Sequence, residues 1–345
     1  MSQPPGPLLC LTPNWIGDAV LALPALQKLA QSGVALHLVG RSSVRRVLDE
    51  VGGETQWIEL PQHRIQRLRR AWSMRSAAYA AAVLLTPSFS SALFAWATAA
   101  KKRFGESADG RGFLLSHPQP RIDRSRHLSL SYCDLADACL QNLGFDPPAA
   151  AGNGGDAVGP APRLRVRESE KQALRELPEG IQGAVVVAPG ARFGPAKQYP
   201  AERFAAAART LAHKWDCRIV LLGTAEDAAA TTAVHNMIPE SIDLTGRTNL
   251  GQLLAILQSA KVTLSNDSGT MHLAAAVGGA VVGVFGSTNP AWTAPLGPRA
   301  QYIVQPVFCS PCYARQCRED FACMLNQPAD TLVACARQLV ESIHT

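Results

Sequence analysis

Short apolar runs alternate with longer helix-like stretches along almost the whole chain, and no other feature constrains the fold as strongly. Residues 8–11 read as a buried strand, 19–30 as a helix, 36–39 as a strand, 44–51 as a helix and 83–85 as a strand leading into a helix over 90–99. A stretch dense in Gly, Ala and Pro follows from Pro147 to Pro162; it cannot bury a core and reads as a linker or mobile loop. The alternation then restarts, with strands at 185–188, 218–222, 262–264 and 281–285 and helices at 201–213, 225–237, 250–260 and 271–277. Strands that are apolar throughout and separated by helices imply parallel sheets covered on both faces. The chain has 345 residues, more than one compact domain of about 150 residues. The expectation is therefore an α/β protein of two domains, residues 1–150 and 163–345, with a terminal helix placed to pack back on the first. In open sheets of this kind ligands sit beyond the carboxyl ends of the strands, so the loops there are the places to look for chemistry.

Composition narrows the class. Hydrophobic residues make up 47% and charged residues 17%, which fits neither a disordered chain nor a fibrous rod. The opening M-S-Q-P-P-G-P has no basic segment and the apolar run after it stops at Pro13 and Asn14, so no signal peptide and a cytoplasmic location are expected. The 25 residues from Ser76 to Ala100 carry no formal charge, but Pro87, Ser88, Ser90, Ser91 and Thr98 lie among them. A buried strand followed by an amphipathic helix suits them better than a membrane span. Nine cysteines, an odd number, point to reduced thiols rather than a disulfide framework.

The formal net charge is +6, and its distribution is uneven. Residues 1–145 hold 16 Lys and Arg against 10 Asp and Glu, whereas residues 146–345 hold 17 of each. Between Glu59 and Glu106 there is no acidic residue, yet Arg64, Arg67, Arg69, Arg70, Arg75, Lys101, Lys102 and Arg103 all fall there. Such a field attracts an anionic partner, a phosphate, a carboxylate sugar, a nucleic acid or an acidic membrane surface. For any single arginine, a solvated helix face is the better account.

Four segments carry candidate chemistry. The first strand ends in T-P-N-W-I-G-D, putting Gly17 and Asp18 at a strand-to-helix turn, where Asp18 serves either as a helix cap or as a group facing a ligand. No G-x-G-x-x-G follows this strand, which argues against a nicotinamide enzyme. The strand at 185–188 runs into P-G-A-R-F-G-P-A-K-Q-Y-P, in which Gly190 and Gly194 permit close approach to an anion and Lys197 can supply a positive charge. L-L-G-T-A-E-D sets Glu226 and Asp227 after a strand, suited to ribose hydroxyls or to capping. V-T-L-S-N-D-S-G-T-M-H puts Asp267, Ser268, Gly269 and Thr270 at a helix start, an anion site suited to a diphosphate, with His272 behind it as a ligand contact or a core histidine. No D-x-D pair occurs for Mg²⁺, so protein groups must neutralise a leaving group. Near the end, Cys309, Cys312, Cys317 and Cys323 fall within 15 residues. That spacing suits a structural zinc site or an iron–sulfur cluster, against the alternative of reduced, packed thiols.

In this order and at these separations, N-W-I-G-D, P-G-A-R-F-G-P-A-K-Q-Y-P and N-D-S-G-T-M-H resemble the lipopolysaccharide heptosyltransferases of glycosyltransferase family 9. The G-P-A-K-x-x-P stretch is closer to the heptosyltransferase II branch than to the heptosyltransferase I branch, and L-L-T-P-S-F-S-S-A-L, Arg103 to Gly105 and the late cysteines fit as well. The resemblance implies a GT-B architecture, two Rossmann-like domains facing each other across a cleft, with acceptor on the N-terminal side and donor on the C-terminal side. It implies inverting transfer from ADP-heptose, with Asp18 as general base, Lys197, Gly190, Asp267 to Thr270 and His272 around the donor, and Asp227 or its neighbour Glu226 on the ribose. Asn14, Trp15, Gly17, Ser88, Arg67, Arg69, Arg70 and Arg103 become the acceptor side, for a Kdo-lipid A type acceptor at the inner membrane, and no catalytic cofactor is expected. Other readings are a family 9 enzyme for a different sugar or a non-catalytic nucleotide-sugar binder. A nucleic-acid-binding protein ranks last, because the basic segment lacks interleaved aromatics and a known module.

Overall fold

A computed structural model describes residues 6–148 and 159–342. Most of the stretch read as a linker, residues 149–158, therefore lies outside the described residues. Contacts divide the chain into two units, Met1–Pro162 and Arg163–Thr345.

The N-terminal unit runs β1 (Leu8–Leu11), α1 (Ile16–Gln31), β2 (Leu36–Gly40), α2 (Ser42–Leu48), β3 (Thr55–Glu59), α3 (Arg64–Ser73), β4 (Ala81–Leu84), α4 (Phe89–Ala97), β5 (Lys102–Glu106), β6 (His117–Gln119) and α5 (Leu128–Asn142). Its six strands lie in the order β3-β2-β1-β4-β5-β6, all parallel. β1 is central, with Leu8 opposite Leu36 on one side and Ala81 on the other. Its four residues are buried to 3% or less, as an apolar run without polar alternation requires. Helix α1 crosses its own Pro24 and is tied to α5 by Lys28, whose ammonium donates to both oxygens of Asp137 at 2.7 and 2.8 Å.

The C-terminal unit repeats the plan. α6 (Glu168–Gln172), β7 (Val185–Ala188), α7 (Ala201–Trp215), β8 (Ile219–Leu221), α8 (Ala228–Met237), β9 (Ile242–Asp243), α9 (Leu250–Ser259), β10 (Val262–Asn266), α10 (Gly269–Ala276), β11 (Val281–Phe285), α11 (Pro290–Thr293), β12 (Ala300–Val304), α12 (Ala322–Leu325) and α13 (Ala329–Glu341) follow in turn. The sheet order β12-β11-β10-β7-β8-β9 is the first sheet's order counted from its own first strand. Its core gathers Val185, Val187, Phe204, Leu221, Leu264, Val282 and Val284, all fully buried. Terminal helix α13 packs on α7, β11 and β12. In both units the strand order reverses beside the first strand, between β1 and β4 and between β7 and β10, and these are the points where doubly wound sheets bind ligands.

Two of the helices that start earlier than the sequence pattern suggested carry candidate site residues in their first turns. α1 begins at Ile16 and α10 at Gly269, so Gly17, Asp18, Gly269 and Thr270 belong to first helical turns rather than to the loops before them. The uncharged segment from Ser76 to Ala100 folds as β4 and α4. Among the described residues no helix is long and apolar enough to cross a membrane.

Candidate active site

The two strands at the C-terminal unit's reversal point, β7 and β10, each end in one of the sequence motifs, and a single side chain joins them. Asn266, the last residue of β10 and fully buried, donates through Nδ2 to the Pro189 carbonyl at 2.7 Å and accepts the Tyr199 backbone N–H at 2.9 Å. It therefore holds both ends of the loop that carries Gly190 and Lys197. Lys197 projects onto Asp267, and the two form an ion pair with side chains 12% and 5% exposed. Thr288, from the loop after β11, donates to the same carboxylate oxygen at 2.6 Å. An ammonium has three N–H donors; one engages Asp267. The Nζ also lies 4.9 Å from the Phe193 ring centre, and Arg315 approaches that ring as well, at 5.6 Å.

Beside this pair, Ser268 stands at the N-terminal boundary of α10 with its hydroxyl turned to Ser265 at 3.0 Å rather than to a backbone N–H, while Gly269 and Thr270 form the helix's first turn and the half-buried edge of the site. The exposed N–H groups of a first turn and the positive end of the helix favour an anion at this place. His272, one turn in, is 5% exposed.

Glu226 and Asp227 part company. Asp227 accepts from the Thr224 backbone N–H at 2.9 Å and from its hydroxyl at 2.8 Å, capping the turn that starts α8. Its other oxygen lies 2.2 Å from where a Cβ on Gly190 would stand, so glycine at 190 makes room for this carboxylate. Glu226 is exposed and pairs with Arg192 at 3.3 Å.

In the N-terminal unit, Asn14 and Trp15 are exposed at the start of α1 and Gly17 and Asp18 are half-buried in its first turn. Tyr132 of α5, which the sequence reading did not single out, lies close by: burial first, then the carboxylates of Asp18 and Glu106, hold its phenol well above its ordinary pKa. Ser88 caps α4, accepting the Ser91 N–H at 3.3 Å. Beneath it the fully buried Arg111 donates to the Ser88 carbonyl at 3.2 Å, to the Ser91 hydroxyl at 2.8 Å and to the Glu106 carbonyl at 2.9 Å. The basic residues divide by position. Arg67 donates to the Pro61 and Gln62 carbonyls at 2.7 and 3.2 Å, and Arg103 to the Leu114 carbonyl at 2.6 Å, whereas Arg69 and Arg70 are exposed on α3.

Of the two readings of the late cysteines, the metal site finds no support. Among the described residues no group of three or more His, Cys, Asp and Glu is placed to hold a metal ion. Cys323 is packed in the core, its Sγ 3.0 Å from where a Cβ on Gly286 would stand, while Cys312 and Cys317 face solvent. Burial first, then the neighbouring Cys317, Cys309 and Cys312, push the Cys323 thiol up to about 11. The segment acts instead as a strap on the Lys197 loop: the Ala196 N–H donates to the Arg315 carbonyl at 3.1 Å, and that carbonyl leaves no room for a side chain at Gly194.

The family model described as "Glycosyltransferase family 9 (heptosyltransferase)" matches residues 66–322. Lipopolysaccharide heptosyltransferase 2 of Escherichia coli K12 is 26% identical over 318 residues, covering 86% of this chain and 87% of the relative. Among solved structures, ADP-heptose lps heptosyltransferase II of E. coli superposes with a TM-score of 0.79 at 22% identity, over 98% of this chain and all of that one. The E. coli heptosyltransferase WaaC, solved with ADP, superposes at 0.67 with 19% identity, over 97% and 99%. These likenesses carry the expected GT-B class of α/β fold, and the family match across most of the sequence makes the chain an enzyme of known type: it belongs to glycosyltransferase family 9.

Proposed function

We propose that this glycosyltransferase moves heptose from ADP-L-glycero-D-manno-heptose to the heptosyl-Kdo-lipid A inner core of lipopolysaccharide, inverting the anomeric centre. The observation that carries the donor half is the buried Lys197–Asp267–Thr288 group beside the first turn of α10. Asp267 and Thr288 fix the ammonium in place, and its remaining N–H groups, with those of the helix, are suited to a departing diphosphate. Preorganised charge of this kind stabilises a leaving group without rearrangement during the reaction. Relatives named heptosyltransferase 2 and a neighbour solved with ADP support the nucleotide and the sugar.

In this reading Asp18 takes the proton from the acceptor hydroxyl as that oxygen attacks the anomeric carbon. The C–O bond to the diphosphate breaks, and ADP leaves with the bonding pair. A half-buried carboxylate at a helix start is a weak base, so its effect comes from placement. Of the two neighbouring acids, we assign the ribose contact to Glu226, because Asp227 is engaged in capping. Arg69 and Arg70 attract the phosphates and carboxylates of the acceptor, and the protein works in the cytoplasm, peripheral to the inner membrane. No catalytic metal is needed in this account, since Lys197 and the helix start supply the positive charge. Transfer from ADP-heptose should persist in EDTA; strict dependence of the rate on added Mg²⁺ would contradict the assignment.

A further inference from the structure

Within the N-terminal unit, helices α3 and α4 carry an apolar surface that the unit's other elements leave uncovered. On α3, Ile65, Leu68 and Trp72 are 69%, 41% and 60% exposed, and at about 100° per residue they fall within an arc of roughly 60°. Only Ala71 of this helix is fully buried. The adjoining α4 turns Phe89 and Trp96 outward at 39% and 49%, and their spacing of seven residues puts them on one face. Phe113, 76% exposed, sets its ring 6.1 Å from that of Phe89. The Arg75 guanidinium lies 3.3 Å from the Trp72 ring centre and donates to the Ala97 carbonyl at 2.9 Å. The indole is thereby fixed at the outside of both helices rather than folded onto the core.

Charge says what such a surface fits. On the helical wheel Arg64 and Arg69 border the Ile65–Leu68–Trp72 stripe on its two sides, and both are exposed. No acidic residue occurs from position 60 to 105. An apolar stripe with an aromatic at its end and arginines along its edges is the pattern of a helix lying in a lipid headgroup layer. A second copy meeting this face through a two-fold axis would bring two sets of these flanking arginines together along one seam, a like-charge contact.

We propose that the α3–α4 face docks the protein on an anionic lipid bilayer, Ile65, Leu68 and Trp72 entering the headgroup layer while Arg64 and Arg69 pair with lipid phosphates. The proposal deepens the functional reading above, whose acceptor is membrane-borne, but it is testable without that acceptor. Each arginine at an anionic surface strengthens partitioning roughly fivefold, and salt screens the effect.

The test is flotation of the full chain with phosphatidylglycerol–phosphatidylcholine vesicles and with phosphatidylcholine vesicles, no sugar acceptor being present. Wild-type protein should float with the anionic vesicles and be released by salt. The triple variant I65Q/L68Q/W72Q should bind on the order of tenfold or more weakly while keeping its helical circular dichroism, because glutamine is a good helix former at exposed positions. It should also keep wild-type turnover of ADP-heptose with a deacylated, water-soluble acceptor. Wild-type protein that does not float, a variant that floats as well as wild type, or a dimer that the triple variant dissolves would each overturn the proposal. Wild-type protein that floats but transfers no heptose supports the docking surface and overturns the functional reading alone.

Discussion

The two units share a strand order and differ in what they do with it. At the C-terminal reversal point the loops after β7, β10 and β11 are cross-linked by buried side chains: Asn266 holds both ends of the Lys197 loop, and Asp267 with Thr288 holds Lys197 itself. At the N-terminal reversal point the loop after β4 is held from below by Arg111, while Asn14 and Trp15 at the start of α1 stay exposed and Asp18 half-buried. A buried ion pair is costly to desolvate and stabilises little on balance; its value is in holding one cation at one place. That suits a small ligand of constant shape. The N-terminal unit instead holds the chain's surplus positive charge and exposes Trp72 and Trp96 on α3 and α4, which suits a large partner met at a surface. One topology thus carries cross-linked loops at the reversal point of one unit and exposed side chains at that of the other.

Asp18→Asn should have the largest effect on this division. If the N-terminal unit contributes only the base, turnover falls on the order of 10²-fold or more, while ADP-heptose affinity measured by calorimetry stays that of the wild type. Near-normal turnover would return Asp18 to the role of an α1 cap. Thr288→Val comes next. A hydrogen bond to a charged group contributes about 1.5–3 kcal/mol, so losing it should weaken ADP binding and donor kcat/KM by roughly ten- to a hundredfold, and Thr288→Ser should restore most of the loss. Equal behaviour of the two variants would mean that Lys197 is positioned without Thr288.

The smallest effect concerns stability. Burial lowers the pKa of His37 in β2, whose Nδ1 lies 2.8 Å from the Tyr79 hydroxyl, and Glu54 offsets only part of this. The folded-state pKa is below the unfolded one, so the contribution of His37 is present above about pH 6.5 and is lost as the pH falls. Melting of the N-terminal unit should decline with falling pH, and His37→Gln should flatten that decline; an unchanged profile would remove His37 from the account.

What could be read in the sequence follows from where the signals lie. V-V-V-A and V-V-G-V-F are apolar throughout because β7 and β11 are buried on both faces, and that is visible locally. The outer strands β3, β5 and β6 mix polar and apolar residues, as in K-R-F-G-E, and give no such run. Lys197 and the Asp267 loop stood out from their glycines and helix starts. Asn266, Thr288, Arg111 and Tyr132 did not, since their roles come from contacts made across strands whose order the sequence does not state. Thr288 stands in F-G-S-T-N-P, an ordinary turn until β11 is known to lie beside β10. The cysteine spacing suggested a metal for the same reason: spacing cannot tell that Cys323 turns into the core while Cys312 and Cys317 turn out.

The central claim is tested most directly by incubating purified protein with ADP-heptose and, separately, with Kdo-lipid A and heptosyl-Kdo-lipid A, and weighing the products by mass spectrometry. The account predicts the gain of one heptose on heptosyl-Kdo-lipid A, with release of ADP and little reaction on Kdo-lipid A. A product only on Kdo-lipid A, or ADP-heptose left intact with both acceptors, would contradict it.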